Sequence, residues 1–393
     1  MAHFDYVLVG GGLQNALVAE ALLSRRPGVS AALVERSGAL GGNHTWCFHA
    51  GDVPLEGAPF VAPFVVQRWD RYTVEFPKLS RTVEAGYAAV TSERLAAVVL
   101  GRARSSGLTV LLDAAAARVE PRRVTLASGR VLEGDVVIDA RGPDAQHAPV
   151  AGFQKFFGLE LEVGAGSARA HPLLMDARVE QTDGFRFFYV LPLAEDRVLV
   201  EDTYFADGRS LDIPALRREI FAYAARSGLD VRRTLREEMG VLPLPARTPP
   251  PRAPQPGLVL GGYQGGFFHP TTGYSFPVAV RFALAVASAK MEELPARILG
   301  LARAEARQQR FATLLNRMLF RSFAPQHRYR VLERFYRLPV PTIERFYALA
   351  LTPADRARIV CGRPPRGLSL EGLWSALVPI APAPAVRAES SHD

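Results

Sequence analysis

The chain has 393 residues, 48% of them hydrophobic, with 47 Lys and Arg against 39 Asp and Glu and a formal net charge of +8. That length exceeds one ordinary core, so two domains or one with large insertions are expected, and the lack of any uninterrupted apolar run of about 18 residues excludes a bilayer-spanning helix. The basic residues are nearly all arginine, without a nucleic-acid-binding motif, so no nucleic acid is expected as partner; Cys47 and Cys361 fit neither a disulfide framework nor a CxxC metal pair, which points to a reducing cytoplasm.

Tyr6–Val9 reads as a short buried strand, followed by Gly10-Gly11-Gly12, an apolar helix, a second strand and the acid Glu35. That is the order of a dinucleotide-binding βαβ unit. Gly10 permits the tight turn, Gly12 lets the backbone approach a pyrophosphate resting on the helix N-terminus, and Glu35 is placed to accept from a ribose hydroxyl. Asn15 stands at the third motif position, on the helix surface, where a small residue is usual. The three glycines, Gln14, Asn15 and Glu20 also exclude reading residues 6–23 as a signal peptide or membrane span. His44 and His49 flank Cys47, but no carboxylate completes a ligand set, so no metal is expected.

Residues 123–135 read as a hairpin turning at Ser128-Gly129, leading into a buried strand and the loop Asp139-Ala140-Arg141-Gly142. A strand ending in a charged, glycine-containing loop is where open α/β sheets place ligand contacts. Residues 151–205 carry aromatic and β-branched runs separated by turns, as in an antiparallel sheet. Within them Gly184–Tyr189 suits either an apolar ligand pocket or a plain sheet core. A proline-rich crossing segment, Pro243–Pro256, precedes a strand ending at Gly261-Gly262, then Phe267–Ser275 and a helix from about Phe276 to Met291. Strand, glycine turn and helix N-terminus recur here, which implies a second backbone contact with the same cofactor. From Arg303 to Arg366 arginines alternate with aromatics; such a stretch suits an anionic membrane surface, or a helix packed on its own core.

Taken together, Gly10–Asn15, Gly41-Gly42-Asn43-His44-Thr45-Trp46, Asp139–Gly142, Val200-Glu201-Asp202-Thr203, Phe268-His-Pro-Thr-Thr-Gly-Tyr-Ser275 and Arg310–Pro364 resemble the bacterial, FAD-dependent lycopene β-cyclase family, collinearly over most of the chain. The resemblance implies an α/β fold of the para-hydroxybenzoate-hydroxylase type: a Rossmann-type FAD-binding domain with an inserted antiparallel substrate sheet and a helical C-terminal region. The expected division is 1–150 and 256–291 for FAD, 151–255 for substrate, 292–383 helical and membrane-associating, and 384–393 a disordered tail. It further implies reduced FAD as the working cofactor, NAD(P)H as electron donor, linear lycopene as substrate, and peripheral membrane association. Gly10, Gly12, Asn15, Glu35, Gly42, Asp139, Arg141, Gly142, Gly261, Gly262, Gly273 and Tyr274 are the expected FAD contacts.

Closing a ψ-end requires protonation of an isolated alkene, attack by the neighbouring double bond on the tertiary cation, and loss of a ring proton. Such an acid must be held neutral, as a desolvated carboxyl is. Glu201-Asp202 follows the apolar Val198–Val200, and the resemblance singles out Glu201; strand alternation sends only one of the two into a pocket. Phe187, Tyr189 or Trp46 would face the cation or simply pack the core, and His269 would take the departing proton or hold the Pro270 turn. Two other classes remain: a flavin-dependent prenyl or carotenoid reductase or hydroxylase, and a noncatalytic carotenoid- or lipid-binding protein.

Overall fold

A computed structural model describes residues 2–142, 149–253, 255–362 and 364–378. The tail expected at 384–393 and the last residues of the helical region lie outside the described residues. Strand β1 (Ala2–Val9) is the centre of the first sheet, with parallel neighbours β2 (Ala31–Val34) and β11 (Val131–Asp139); β8 (Leu108–Leu111) continues it beyond β2. β10 (Arg123–Leu126) and β9 (Ala116–Glu120) extend it antiparallel, and β17 (Leu258–Leu260) pairs with the C-terminal half of β11. Tyr6, Val7, Leu8 and Val9 are all buried because both faces of this parallel sheet are covered. The helices Leu13–Arg25 and Phe276–Ser288 pack together over one face in one apolar cluster.

The second sheet runs β16 (Val231–Pro245), β12 (Val150–Val163), β15 (Arg197–Ala206), β14 (Phe185–Ala194), β13 (Leu173–Asp176), β5 (Tyr72–Phe76) and β6 (Leu79–Val83). It is antiparallel throughout, save for the parallel β13–β5 pair. Two of its strands thus come from residues 72–83, earlier than the 151–255 stretch expected to supply it. Side-chain alternation gives the sheet two different faces. Phe157, Phe188, Val198 and Val200 meet the helix Ile213–Arg226 on one face. Glu201, Thr203, Phe187 and Tyr189 look into a cavity on the other. A third small sheet, β3 (Thr45–His49), β7 (Tyr87–Thr91) and β4 (Gln67–Trp69), lies beside it.

The arginine–aromatic stretch forms the helices Leu294–Ser322, Tyr329–Phe335, Val340–Tyr347 and Pro353–Val360. Of its two readings, the packed one holds for the aromatics: Phe335, Tyr336, Phe346 and Tyr347 join Tyr72, Phe76 and Phe185 in one buried cluster. Arg328 is only 1% exposed, lying over the Phe320 ring at 4.4 Å and paired with Asp207 at 2.7 Å. Arg345 is paired with Asp355 and Arg334 caps the Ile359 carbonyl. Arg328 ties these helices to the end of β15, and Arg345 and Arg334 tie them to one another. Among the described residues no helix is long and apolar enough to cross a membrane.

Candidate active site

The end of β1 turns sharply at Gly10, whose φ of +101° disfavours any side chain and whose added Cβ would lie 3.0 Å from the Ala140 carbonyl oxygen. Gly12 caps the Leu13–Arg25 helix without a side-chain hydrogen bond, and a Cβ there would meet nothing within 4 Å. Uncapped first-turn amides facing open space form an anion cradle. Glu35, at the tip of β2, accepts from the Gly11 amide at 2.7 Å and the Ser37 amide at 2.9 Å. Across the loop, Asp139 is buried and pairs with Arg141 at 2.8 Å. The Gly262 amide donates to Gln14 Oε1 at 2.9 Å, and a side chain at Gly261 would collide with the Gln14 amide, so the two glycine turns close on one helix start. Of the other expected contacts, Gly273 and Tyr274 line the cavity at the start of the Phe276–Ser288 helix, and the Gly142 carbonyl accepts from Gln264 at 3.2 Å. Gly42 and Gly273 have φ of +62° and +65°, and the Tyr274 hydroxyl donates to Asp52 at 2.7 Å.

A cavity of about 310 Å³ runs from the start of the Phe276–Ser288 helix to the second sheet, walled by Trp46, Tyr87, Phe187, Tyr189, Tyr274 and Tyr347. Two carboxyls enter it. Glu201 on β15 and Glu238 on β16 are both paired in register with Gly158 of the intervening strand β12. A Cβ on Gly158 would lie 3.1 Å from Glu238 Cγ and 3.4 Å from Glu201 Cβ, so the glycine leaves room for the two stems to converge. Thr203, two residues along the same face, donates to Glu201 at 2.5 Å. Burial, then the charge of Glu238, raises the Glu201 pKa well above the usual carboxylate range. Glu238 is also raised by burial, but Arg236 at 2.9 Å and the Thr45 hydroxyl at 2.9 Å oppose this and favour its charged form. The surroundings therefore favour the proton on Glu201 and the charge on Glu238, in a cavity walled by aromatic rings.

The family described as "Lycopene cyclase protein" matches residues 5–371. The chain belongs to the lycopene cyclase family. It is 40% identical over 367 residues to a lycopene beta-cyclase from Pantoea ananas, covering 92% of this chain and 95% of that one. It is 42% identical over 377 residues to a lycopene beta-cyclase from Pseudescherichia vulneris, covering 95% and 96%. Among solved structures it resembles a geranylgeranyl bacteriochlorophyll reductase-like protein from Thermoplasma acidophilum, with a TM-score of 0.61 at 14% identity and 96% of each chain covered. A Pseudomonas aeruginosa structure described as "a probable FAD-dependent monooxygenase" matches at TM-score 0.58 and 18% identity, over 83% of this chain and 98% of that one. The fold of this cyclase-family chain is thus that of the para-hydroxybenzoate-hydroxylase-like flavoproteins.

Three of the expected site residues do not line the cavity, and of these only Asn15 departs from the position read for it. Asn15 is not on the helix surface: it is fully buried, and its amide donates to the Val9 and Gly10 carbonyls at 3.0 and 2.9 Å, fixing the turn from behind. Asp202 points away from the cavity, held by Arg186 at 2.9 and 2.7 Å and by the Tyr204 hydroxyl at 3.1 Å. His269 is not positioned to take a proton. Its Nδ1 accepts from the Thr271 amide at 3.1 Å, its Nε2 meets the Phe346 carbonyl at 2.9 Å, and burial lowers its pKa to about 4. Both nitrogens hold the Pro270 turn. Glu238 and Arg236 stand in no motif of the sequence, and Thr45 enters it only as part of the string that carries the family resemblance. Their available signal was Gly158, an isolated glycine inside an aromatic strand, which marks a close approach.

Proposed function

We propose that the protein is a lycopene β-cyclase, converting the ψ-ends of linear lycopene to β-rings without net oxidation or reduction. One observation carries this reading: a buried carboxyl, Glu201, whose pKa burial raises, opens into an aromatic-walled cavity that reaches the glycine-preceded start of the Phe276–Ser288 helix. Glu201 donates a proton to the terminal double bond, a transfer that water in an open site would suppress. The rings of Trp46, Phe187, Tyr87, Tyr189 and Tyr347 surround the space where the cation forms, and their faces attract it. Burial raises the phenol pKa of Tyr87, Tyr189 and Tyr347, so none of them supplies a competing anion.

FAD fits the residues present. The open cradle at Gly12 takes the pyrophosphate, Glu35 the ribose, and the Asp139–Gly142, Gly261-Gly262 and Gly273-Tyr274 loops border the remainder. When bound in its reduced form there, FAD would supply negative charge beside the cationic intermediates, with NAD(P)H as its electron donor. The substrate is a bilayer hydrocarbon, and we place the protein peripherally at a membrane surface. The best-suited contact is the Leu370–Leu377 helix, where Leu370 and Trp374 are 76% and 74% exposed. The deciding experiment is anaerobic incubation with lycopene and chemically reduced FAD, following product and flavin together. Cyclic carotene with the flavin still reduced supports cyclisation; stoichiometric flavin oxidation with a reduced or hydroxylated product overturns it.

A further inference from the structure

We propose that Glu238 is the base that removes the ring proton, so that acid and base of the cyclisation are two adjacent carboxyls separated by one glycine. The proposal rests on the cyclase reading above and on Glu201 as its acid. Ring closure adds a proton to one carbon and removes a proton from another, and both carbons are bonded to the same quaternary centre of the new ring. Donor and acceptor must therefore stand close together on the wall of one cavity. Glu201 and Glu238 do: each is in register with Gly158, the stems converge within 3.4 Å of the space above it, and both line the cavity.

The surroundings divide the roles. Glu238 receives the Thr45 hydroxyl at 2.9 Å and lies 2.9 Å from Arg236, whose Nε also contacts Glu160 at 3.1 Å. Among the described residues Glu201 receives only the Thr203 hydroxyl, with no cation against it. The proton of the resting pair therefore sits on Glu201, and the vacancy on Glu238. In the reaction the O–H bond of Glu201 breaks and a C–H bond forms at the terminal alkene carbon. The inner double bond attacks the resulting tertiary cation, closing the carbon–carbon bond and moving the charge to the next tertiary carbon. The C–H bond at the newly bonded alkene carbon then breaks, its electrons form the ring double bond, and the proton passes to Glu238. Proton transfer between the two adjacent carboxyls restores the starting pair. No outside base or oxidant is needed. Because the base selects which proton leaves, it also selects the β-ring over isomers whose double bond lies toward the neighbouring ring carbon or the methyl group.

The test is Glu238→Gln holoenzyme turning over lycopene in heavy water, with flavin content and folding checked first. The expected result is cyclisation slowed by about 10²-fold or more, with isomeric rings in the product or deuterium at the terminal alkene carbon of recovered linear carotene, because the cation now reverts. β-Ring as sole product at the native rate overturns the proposal. So does loss of all turnover with neither isomeric rings nor deuterated substrate, since Glu238 would then act only through Glu201. Glu238→Asp keeps the carboxylate but withdraws it, and carries the test alone if the Gln variant does not fold. An intermediate rate with mainly β-ring product is expected; a rate and isotope pattern indistinguishable from native overturns the assignment. Failure of the underlying acid reading would show separately, as normal cyclisation by Glu201→Gln.

Discussion

Arg186 grips Asp202 through two parallel hydrogen bonds, 2.9 and 2.7 Å long, on the helix-covered face of the same strand that presents Glu201 to the cavity. Adjacent acids therefore have separate duties: one ties the sheet to its covering helix, where Arg186 also reaches Glu219 at 2.9 Å, and the other faces the substrate space. Breaking such a buried pair from one side leaves an uncompensated charge and costs about 3–5 kcal/mol. Asp202→Asn should lower the unfolding midpoint substantially, while the folded fraction keeps its cyclising activity per bound flavin. Near-native stability with abolished turnover would reverse the two assignments.

Gly12 offers a cleaner cofactor test than most glycines of the motif. Its φ of −81° is open to other residues, and an added Cβ meets no protein atom within 4 Å. Gly12→Val should thus fold normally yet fill the anion cradle, abolishing FAD binding and activity together. Flavin absorbance retained by the folded variant would remove the pyrophosphate from this position. Gly10→Ala, by contrast, should destabilise the fold itself, since its positive φ and the nearby Ala140 carbonyl leave no room.

The membrane contact also shifts on structural grounds. Arg317 and Arg321 are not a solvated row: they donate to the Ala376 and Ser375 carbonyls at 2.7 Å and fasten the C-terminal helix in place. That helix leaves Leu370 and Trp374 standing out of the surface. Leu370→Ser with Trp374→Ala should reduce sedimentation with anionic liposomes several-fold and leave the detergent-solubilised activity intact. Undiminished liposome binding would direct attention to another surface.

The first sheet was legible because its signals are local. Strand, glycine turn, helix and Glu35 follow within thirty residues, and the alternation at Glu201-Asp202 follows from strand geometry alone. What escaped depends on partners distant in the chain. Asn15 turned inward because two carbonyls of the preceding strand await its amide. Of the two readings of His269, the structural one rests on its contact with the Phe346 carbonyl, 77 residues later, which no local pattern shows. Glu238 gained one from pairing across Gly158, a register no periodicity specifies. The tyrosines around the cavity come from β7, β14, the Val340–Tyr347 helix and the loop between β17 and Phe276, and composition could not bring them together.

The state of Glu201 makes a prediction that joins stability to chemistry. Burial and the neighbouring Glu238 charge raise its pKa to about 8, with Asp202 adding to the rise and Thr203 opposing it. His44, Cys47 and Arg236 also lie around this end of the cavity. The acid acts when protonated, so turnover should fall as pH rises through about 8; it should fall again at low pH, where Glu238 gains the proton that keeps it from acting as base. The same shift has a stability sign. The folded protein binds this proton more tightly than the unfolded chain, whose carboxyl titrates about three units lower, so the native state loses stability as pH rises between the two values. Glu201→Gln removes the acid and this penalty at once. Its unfolding midpoint relative to the native chain should improve progressively from about pH 5 to about pH 8, while β-ring formation falls by about 10⁴-fold or more. In single-turnover reactions with enzyme in excess, pre-equilibrated in heavy water, the native protein should place one deuterium in each closed ring. A native activity profile flat through pH 8, a midpoint difference that does not change with pH, or deuterium-free rings would each show that Glu201 does not hold the transferred proton.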